Sequence, residues 1–380
     1  MNLELLYSHF LKHPKIYTDS RKVTKNSIFF ALKGKKYNGN LFAEEALEKG
    51  AKIVVVDQKI KNDTRFFYVK NSLICLQELA KKHRENLKIP IIGITGTNGK
   101  TSTKEFISLL LSSSFNVAYT KGNLNNHIGV PLTILKINNN HTIGVVEFGA
   151  NKKGDIKELC EIAKPTHGLI TNVGKAHLQD FISLENIINT KTELWVYLME
   201  NNGIIFFNTD DKLLTKKAKK IFKESVIQRF QLYGENIKTE KDIKLLENSH
   251  FLNFKYNGSI INTKIVGKYN FINIMAAIKV ATYFQITAEK IKKVLPIISI
   301  KNRSEFIKTK KNEIVLDAYN ANPYSMNIAI KNFLEIENYK DKEKIIILGD
   351  MLELGKQEIQ EHEKIIRLLE KSNIPQKNIF

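Results

Sequence analysis

The run Gly93-Ile94-Thr95-Gly96-Thr97-Asn98-Gly99-Lys100-Thr101 restricts this chain more than any other segment. Ile91-Ile92-Gly93-Ile94 is apolar and reads as a buried strand that runs straight into the glycines. Thr103 to Leu111 reads as a helix. A strand, a glycine turn and a helix N-terminus together make an anion site, because free backbone N–H groups and the helix dipole point at one place. Gly96 and Gly99 allow a backbone approach that a Cβ would block. Lys100 can neutralise β- and γ-phosphate charge, and the Thr101 hydroxyl can bind Mg²⁺. Gly96, Thr97, Asn98, Gly99, Lys100 and Thr101 are therefore the expected phosphate-binding residues. Chance Gly-Lys-Thr triplets are common in a Lys-rich chain, but one in this strand–loop–helix setting is not. The strict G-x-x-x-x-G-K-[ST] pattern has glycine six places before the lysine, and here that place holds Ile94.

The loop sets the expected class as α/β, with a mostly parallel central sheet. Apolar runs at Ile143 to Phe148, Gly168 to Thr171 and Gly203 to Phe207 alternate with helical patterns at Ile156 to Ala163 and Leu184 to Leu198. From Gln231 to Ile265 the pattern suggests a small antiparallel flap, followed by a helix over Asn270 to Tyr283. Before the loop, a helix at Phe42 to Lys49 and a β-branched run at Ile53 to Val56 suggest a small α/β domain. Ile89-Pro90 marks a boundary, since the residue before proline favours extended backbone. A further region opens near Pro296, with strands expected at Ile314 to Leu316 and Lys344 to Leu348. The expected domains are 1–88, 89–295 and 296–380, and 380 residues suit two or three cores.

Charge and cysteines narrow the classes. The net charge of +20 could mark a nucleic-acid binder. The lysines are spread along the chain among many Ile and Asn residues, which fits A/T-rich coding and solvated helix faces, with attraction for anionic substrates as the other reading. No aromatic and basic residues interleave as in single-strand binders, so no nucleic-acid partner is expected. Cys75 and Cys160 have no nearby partner and are expected as buried free thiols. No apolar run reaches the ~18 residues of a membrane span, and the start lacks a secretory pattern. A cytoplasmic location without membrane attachment is expected.

Three more residues matter for chemistry. Glu147 ends an apolar strand, at the sheet edge where α/β ligands bind. It is either a Mg²⁺ ligand beside Thr101 or a strand-end cap. His177 also follows a strand, and alone it would be incidental. Lys191, in Asn189-Thr190-Lys191-Thr192-Glu193, reads as surface charge from sequence alone.

Gly-Ile-Thr-Gly-Thr-Asn-Gly-Lys-Thr resembles the nucleotide loop of the Mur ligases and folylpolyglutamate synthases, ATP-dependent amide ligases that work through an acyl phosphate. Four other segments resemble the branch of the Mur ligase family that adds D-Ala-D-Ala. They are Gly122-Asn123-Leu124-Asn125-Asn126-His127-Ile128-Gly129-Val130-Pro131, Glu147-Phe148-Gly149-Ala150-Asn151, Asp317-Ala318-Tyr319-Asn320-Ala321-Asn322-Pro323, and Leu348-Gly349-Asp350-Met351-Leu352-Glu353-Leu354-Gly355. The resemblance runs from Asp19 to His362.

The resemblance implies ATP and Mg²⁺ as cofactors, and UDP-N-acetylmuramoyl-tripeptide and D-Ala-D-Ala as substrates of a monomer. It implies catalytic roles for Lys100, Glu147, His177 and Lys191. Thr101 and Glu147 would hold one Mg²⁺, and His177 and Lys191, carried as a carbamate, would help hold a second. Gly267-Lys268-Tyr269-Asn270-Phe271-Ile272-Asn273 is similar to the family's Gly-x-His-Asn-x-x-Asn helix start, with Tyr269 in place of the usual His. Asn270 would then lie near the adenine, and Arg303 and Asp317 would meet the nucleotide on domain closure. Thr18-Asp19-Ser20-Arg21 looks like part of the UDP-binding domain, with Ser20 and Arg21 as donors, although an ordinary Asx-capped turn would read the same way. Asn125 and Asn126 would orient the muramoyl-peptide. The family pattern continues beyond the length seen here, to a Lys-Gly-Ser-Arg motif. The resemblance therefore implies an incomplete Rossmann-like third domain, in a chain that binds its substrates better than it turns them over.

Overall fold

A computed structural model describes residues 2–35, 37–174, 183–228, 230–235, 243–246, 251–298, 300, 303–335, 343–352, 354–372 and 374–380. They form two compact units.

The first unit comprises Met1–Gly93, Asn116–Phe148 and Lys157–Thr166. Its N-terminal sheet runs Lys15–Tyr17, Ser27–Phe30, Ala51–Val56, Phe66–Tyr68, all parallel. Parallel strands are covered on both faces, so they need unbroken apolar sequence. Ser27–Phe30 is buried at every position. Phe29, Val54, Val56 and Phe66 pack on Ala43, Ala46 and Leu47 around the helix Ala43–Glu48. The helix Ser72–Asn86 starts where Asn71 Oδ1 accepts the N–H groups of Leu73 and Ile74 at 2.9 and 3.0 Å. It buries Arg84, whose guanidinium donates to the carbonyls of Ala163, Leu87 and Lys164 at 2.8, 2.8 and 3.0 Å. Those carbonyls solvate a cation that burial would otherwise make costly. Cys75 and Cys160 are both buried thiols outside any disulfide, and burial pushes the Cys75 thiol up to about 12.

Strand Ile91–Thr95 passes from the first unit into the second. Its sheet has the order Gln231–Tyr233, Ile204–Asn208, His167–Ile170, Ile91–Thr95, Ile143–Glu147, Val117–Tyr119. This is the α/β class with the parallel central sheet that the sequence implied.

The second unit holds Ile94–Phe115, Gly149–Ile156 and His167–Phe380. The helix Lys100–Leu111 packs against Asn270–Tyr283, which is apolar on nearly every side. Nearby, His167 lies among Phe206, Tyr283 and Phe284, where burial lowers its imidazole to about 4. The flap is an antiparallel sheet of Ile243–Leu246, Phe251–Tyr256 and Ser259–Val266. Its expected start at Gln231 is wrong. Gln231–Tyr233 pairs in parallel with Phe206–Asn208 as a sheet edge. The following Gly234, at φ 150°, ends that edge strand instead of turning a hairpin.

The C-terminal segment opens with an antiparallel pair, Glu305–Lys308 with Glu313–Leu316. The expected strand at Lys344 to Leu348 reduces to one parallel bridge, Ile346 to Ile379. Helices Pro323–Leu334 and Glu358–Glu370 enclose Ile330, Ile346, Met351, Leu354, Ile365 and Leu369. Phe29 is fully buried in the N-terminal core, so Phe29→Ala should lower unfolding free energy by about 3–5 kcal/mol. Urea denaturation measures this, and a loss below about 1 kcal/mol would contradict the packing described.

Candidate functional site

The loop after Ile91–Thr95 is held open by its glycines and braced by a second loop. Gly96 has φ 144° and Gly99 has φ 77°. A Cβ on Gly96 would lie 2.0 Å from Thr171 Oγ1, and one on Gly99 would lie 2.7 Å from Asn273 Oδ1. The bracing residues are Thr171 to Gly174. The N–H of Thr97 donates to the Asn172 carbonyl at 2.9 Å, and that of Asn98 to Asn172 Oδ1 at 3.0 Å. Thr171 Oγ1 and Asn172 Nδ2 both donate to the Asn98 carbonyl, at 2.6 and 3.0 Å. The first turn of Lys100–Leu111 carries no acidic side chain, so the positive end of its dipole stays available to an anion. Lys100 Nζ folds back onto the carbonyls of Gly96 and Thr97 at 2.8 and 3.0 Å. The loop thus gathers oriented amides, a helix terminus and an ammonium group around a turn too tight for side chains.

The C-terminal segment reaches this loop. Arg303 Nη2 donates to Thr101 Oγ1 at 3.1 Å, with its guanidinium 3.8 Å from the Tyr319 ring centroid. Arg303 Nε is buried with no hydrogen-bond partner. Asn322 caps the helix Pro323–Leu334 with its Oδ1, and its Nδ2 donates to Asn98 Oδ1 at 3.2 Å. Asp317 Oδ2 accepts from the Tyr269 hydroxyl at 3.4 Å and from Ser304 Oγ at 3.2 Å. Asn270 is buried, and its amide works within the fold: Nδ2 donates to the Val266 carbonyl at 3.0 Å and Oδ1 accepts Asn273 Nδ2 at 3.2 Å.

Lys191 lies in the helix Leu184–Glu200 and is only 3% exposed. Burial, and then the charge of Lys100, lower its ammonium to about 7, against the opposing pull of Asp155 and Glu193. The surface reading from sequence is wrong, and a signal against it was present. Ile187, Leu194, Trp195 and Leu198 stand at −4, +3, +4 and +7 from Lys191, and all are buried on its face. His177 lies outside the described residues.

The remaining expected residues belong to the first unit. Glu147 is 2% exposed; Oε1 accepts Asn125 Nδ2 at 2.8 Å, and Oε2 is buried with no hydrogen-bond partner. Asn126 Oδ1 accepts the N–H groups of Ile128 and Gly129 at 3.1 and 2.9 Å, which shapes the start of Gly129–Ile134. Ser20 is buried, with Oγ 3.4 Å from Glu45 Oε2. Arg21 makes a forked pair with Asp19 at 2.9 and 2.9 Å, and that hydrogen-bonding holds the Asp19 carboxyl down at about 2. Among the described residues no group of three or more His, Cys, Asp or Glu side chains is placed to hold a metal.

Three family models match in series. They are the Mur ligase family catalytic domain over 15–95, the Mur ligase middle domain over 94–281, and the Mur ligase glutamate ligase domain over 302–374. The chain belongs to the Mur ligase family. This Mur ligase is 36% identical over 351 residues to UDP-N-acetylmuramoyl-tripeptide–D-alanyl-D-alanine ligase of Bacillus subtilis, covering 90% of this chain and 74% of that one. The corresponding enzyme of Escherichia coli is 33% identical, at 90% and 75% coverage. The crystal structure of MurF from Acinetobacter baumannii superposes with a TM-score of 0.82 at 28% identity, over 95% of this chain and 79% of that one. MurF ligase from Thermotoga maritima in complex with ADP gives 0.80 at 29% identity, over 97% and 88%.

The nucleotide loop of this Mur ligase should not tolerate Gly96→Ala. The added Cβ must displace Thr171, and the substituted residue sits at a strained φ, so ADP affinity should fall by about 10- to 100-fold. Calorimetric titration reads this, and wild-type affinity would contradict the geometry.

Proposed function

We propose that this Mur ligase adds D-Ala-D-Ala to UDP-N-acetylmuramoyl-tripeptide at the expense of ATP, forming a precursor of peptidoglycan. The observation that carries the reading is the braced glycine loop with Lys100, Thr101 and Arg303 gathered on it. The relatives bearing that enzyme's name, aligned over nine-tenths of this chain, support the choice of acceptor. The segments 1–88, 89–295 and 296–380 would serve the UDP-substrate, the ATP and the closing of the site. ATP and the UDP-tripeptide are its nucleotide substrates, and a cytoplasmic monomer is the working assignment.

In the proposed reaction an oxygen of the tripeptide carboxylate attacks the γ-phosphorus and ADP leaves. The amine of D-Ala-D-Ala then attacks the acyl phosphate carbonyl, phosphate departs and the amine loses a proton. The protein supplies position and charge compensation. Gly96 and Gly99 would donate peptide N–H groups to the phosphates, with Thr97 and Asn98, whose N–H groups Asn172 holds, shaping the loop around them. Lys100 would exchange its two loop carbonyls for phosphate oxygens. Arg303, Asp317 and Asn270 would serve the nucleotide, and Asn125, Asn126, Ser20 and Arg21 the UDP-substrate. The orphaned buried Glu147 Oε2 and the Thr101 hydroxyl are oxygen donors of the kind Mg²⁺ prefers. Glu147 and Thr101 would hold one ion, and His177 and Lys191 would help hold another. Bound Mg²⁺ would neutralise phosphate charge.

A cationic lysine cannot ligate a metal, but its neutral amine can add CO₂ and become an anionic carbamate. An amine at about 7 supplies that neutral form near neutral pH, where an ordinary lysine at 10.5 does not. Incubation with ¹³C-bicarbonate should give a carbamate resonance that rises as pH passes upward through about 7, and Lys191→Gln should abolish it. A resonance unaffected by Lys191→Gln would assign the carbamate elsewhere.

The reaction itself is tested by phosphate release. Release should require ATP, the UDP-tripeptide and D-Ala-D-Ala together, with single amino acids at least about 100-fold poorer in kcat/KM, a difference of about 3 kcal/mol. Equal rates with a single amino acid would move this chain to another branch of the family.

A further inference from the structure

Among the described residues, polar contacts cross from the middle family segment, 94–281, to the C-terminal one, 302–374. Arg303 to Thr101 and Asn322 to Asn98 bear on the phosphate loop. Lys268 N–H reaches Asn332 Oδ1 at 3.4 Å. Tyr269, Ser304 and Asp317 form a cluster across the same boundary. The Tyr269 hydroxyl is hydrogen-bonded to Ser304 Oγ, and both lie within reach of Asp317 Oδ2.

We propose that Tyr269 is a positioning residue: its hydroxyl, with that of Ser304, fixes the Asp317 carboxylate for the nucleotide and ties the C-terminal segment to the start of the helix Asn270–Tyr283. The inference rests on the reading of Asp317 as a nucleotide contact. The two hydroxyls hold two protons between them, and an ionised Asp317 accepts at least one. Both hydroxyls approach Oδ2, which leaves Oδ1 of an exposed carboxylate for a ligand.

Two backbone features show that the arrangement is built. Ser304 adopts φ 47° and is only 5% exposed. A serine in the left-handed region carries strain that its surroundings must offset. That conformation separates Arg303, which turns to Thr101, from Glu305, which starts the hairpin, while Ser304 faces Asp317. On the other side, Gly267 has φ 92°, and a Cβ there would lie 2.4 Å from the Tyr269 ring. The glycine makes room for the ring that carries the hydroxyl. Burial, and next the Asp317 charge, raise the Tyr269 phenol, so it stays a donor at any working pH.

The test is ADP affinity in the presence of Mg²⁺, by calorimetry on the full chain, with melting temperature and the KM for UDP-tripeptide measured beside it. Tyr269→Phe keeps the ring and removes the hydroxyl, and it should weaken ADP about tenfold, the effect of one hydrogen bond to a charged group. Asp317→Asn should weaken it at least as much. The double variant should match Asp317→Asn within about twofold, because the tyrosine acts through the carboxylate. Ser304→Gly should also weaken ADP while leaving the melting temperature equal or higher, since glycine relieves the positive φ. A merely structural hydroxyl would lower stability and affinity together. The UDP-tripeptide KM should not move in any of the three. Full additivity in the double variant, or wild-type affinity in Tyr269→Phe beside a weakened Asp317→Asn, would overturn the inference alone. Wild-type affinity in Asp317→Asn would instead remove the nucleotide reading of Asp317, and the inference with it.

Discussion

The site depends on the capture of one peptide turn by another. Gly96 to Gly99 could bind phosphate only if its N–H groups are aimed and its carbonyls are turned away and satisfied. Thr171 and Asn172 fix the turn, taking the carbonyl of Asn98 with two donors and the N–H groups of Thr97 and Asn98 with two acceptors, so that an anion is left to the helix start that follows. They can do so because His167–Ile170 lies next to Ile91–Thr95 in the sheet, so both strands deliver their loops to the same edge. The cost of ordering the loop is met in folding, before any nucleotide arrives, and this is the meaning of preorganisation here.

Around that capture the polar groups divide by what they already hold. Lys100 rests on loop carbonyls that are weaker partners than a phosphate, so it is easily redirected. Glu147 keeps one oxygen on Asn125 and one buried oxygen without a partner, an arrangement that costs about 1–3 kcal/mol until a cation or donor fills it. Asn270 is engaged by the Val266 carbonyl and the Asn273 amide, and Asn126 commits its Oδ1 to the N–H groups of Ile128 and Gly129.

What was legible in the sequence follows from range. The phosphate loop, the alternation of strand and helix, and the buried cysteines are local patterns, set by a few adjacent residues. The braces are not local: Asn172 stands more than seventy residues from Asn98, and nothing in Thr171-Asn172 marks it as a partner. The same holds for Tyr269 and Asp317. Lys191 could have been read from its apolar neighbours at helical spacing, but a charged residue type outweighed the pattern around it. The edge strand Gln231–Tyr233 was mistaken because three residues carry too little periodicity to tell a parallel edge from an antiparallel hairpin. The strand expected at Lys344 to Leu348 shrinks to a bridge because a β-branched run favours extended backbone without securing a neighbour: only Ile346 is buried, while Ile345 and Ile347 are exposed.

His167 shows a last consequence of packing. Its imidazole sits against Phe206, Tyr283 and Phe284 at the root of the central sheet, and burial holds its proton affinity down at about 4. An unfolded chain would take up that proton near 6.5. Between those two values acid therefore favours the unfolded chain, while above 6.5 this aromatic seam contributes its full stability. The sheet that presents the nucleotide loop is thus indifferent to alkali at this point and sensitive to acidification, through a residue with no part in the chemistry.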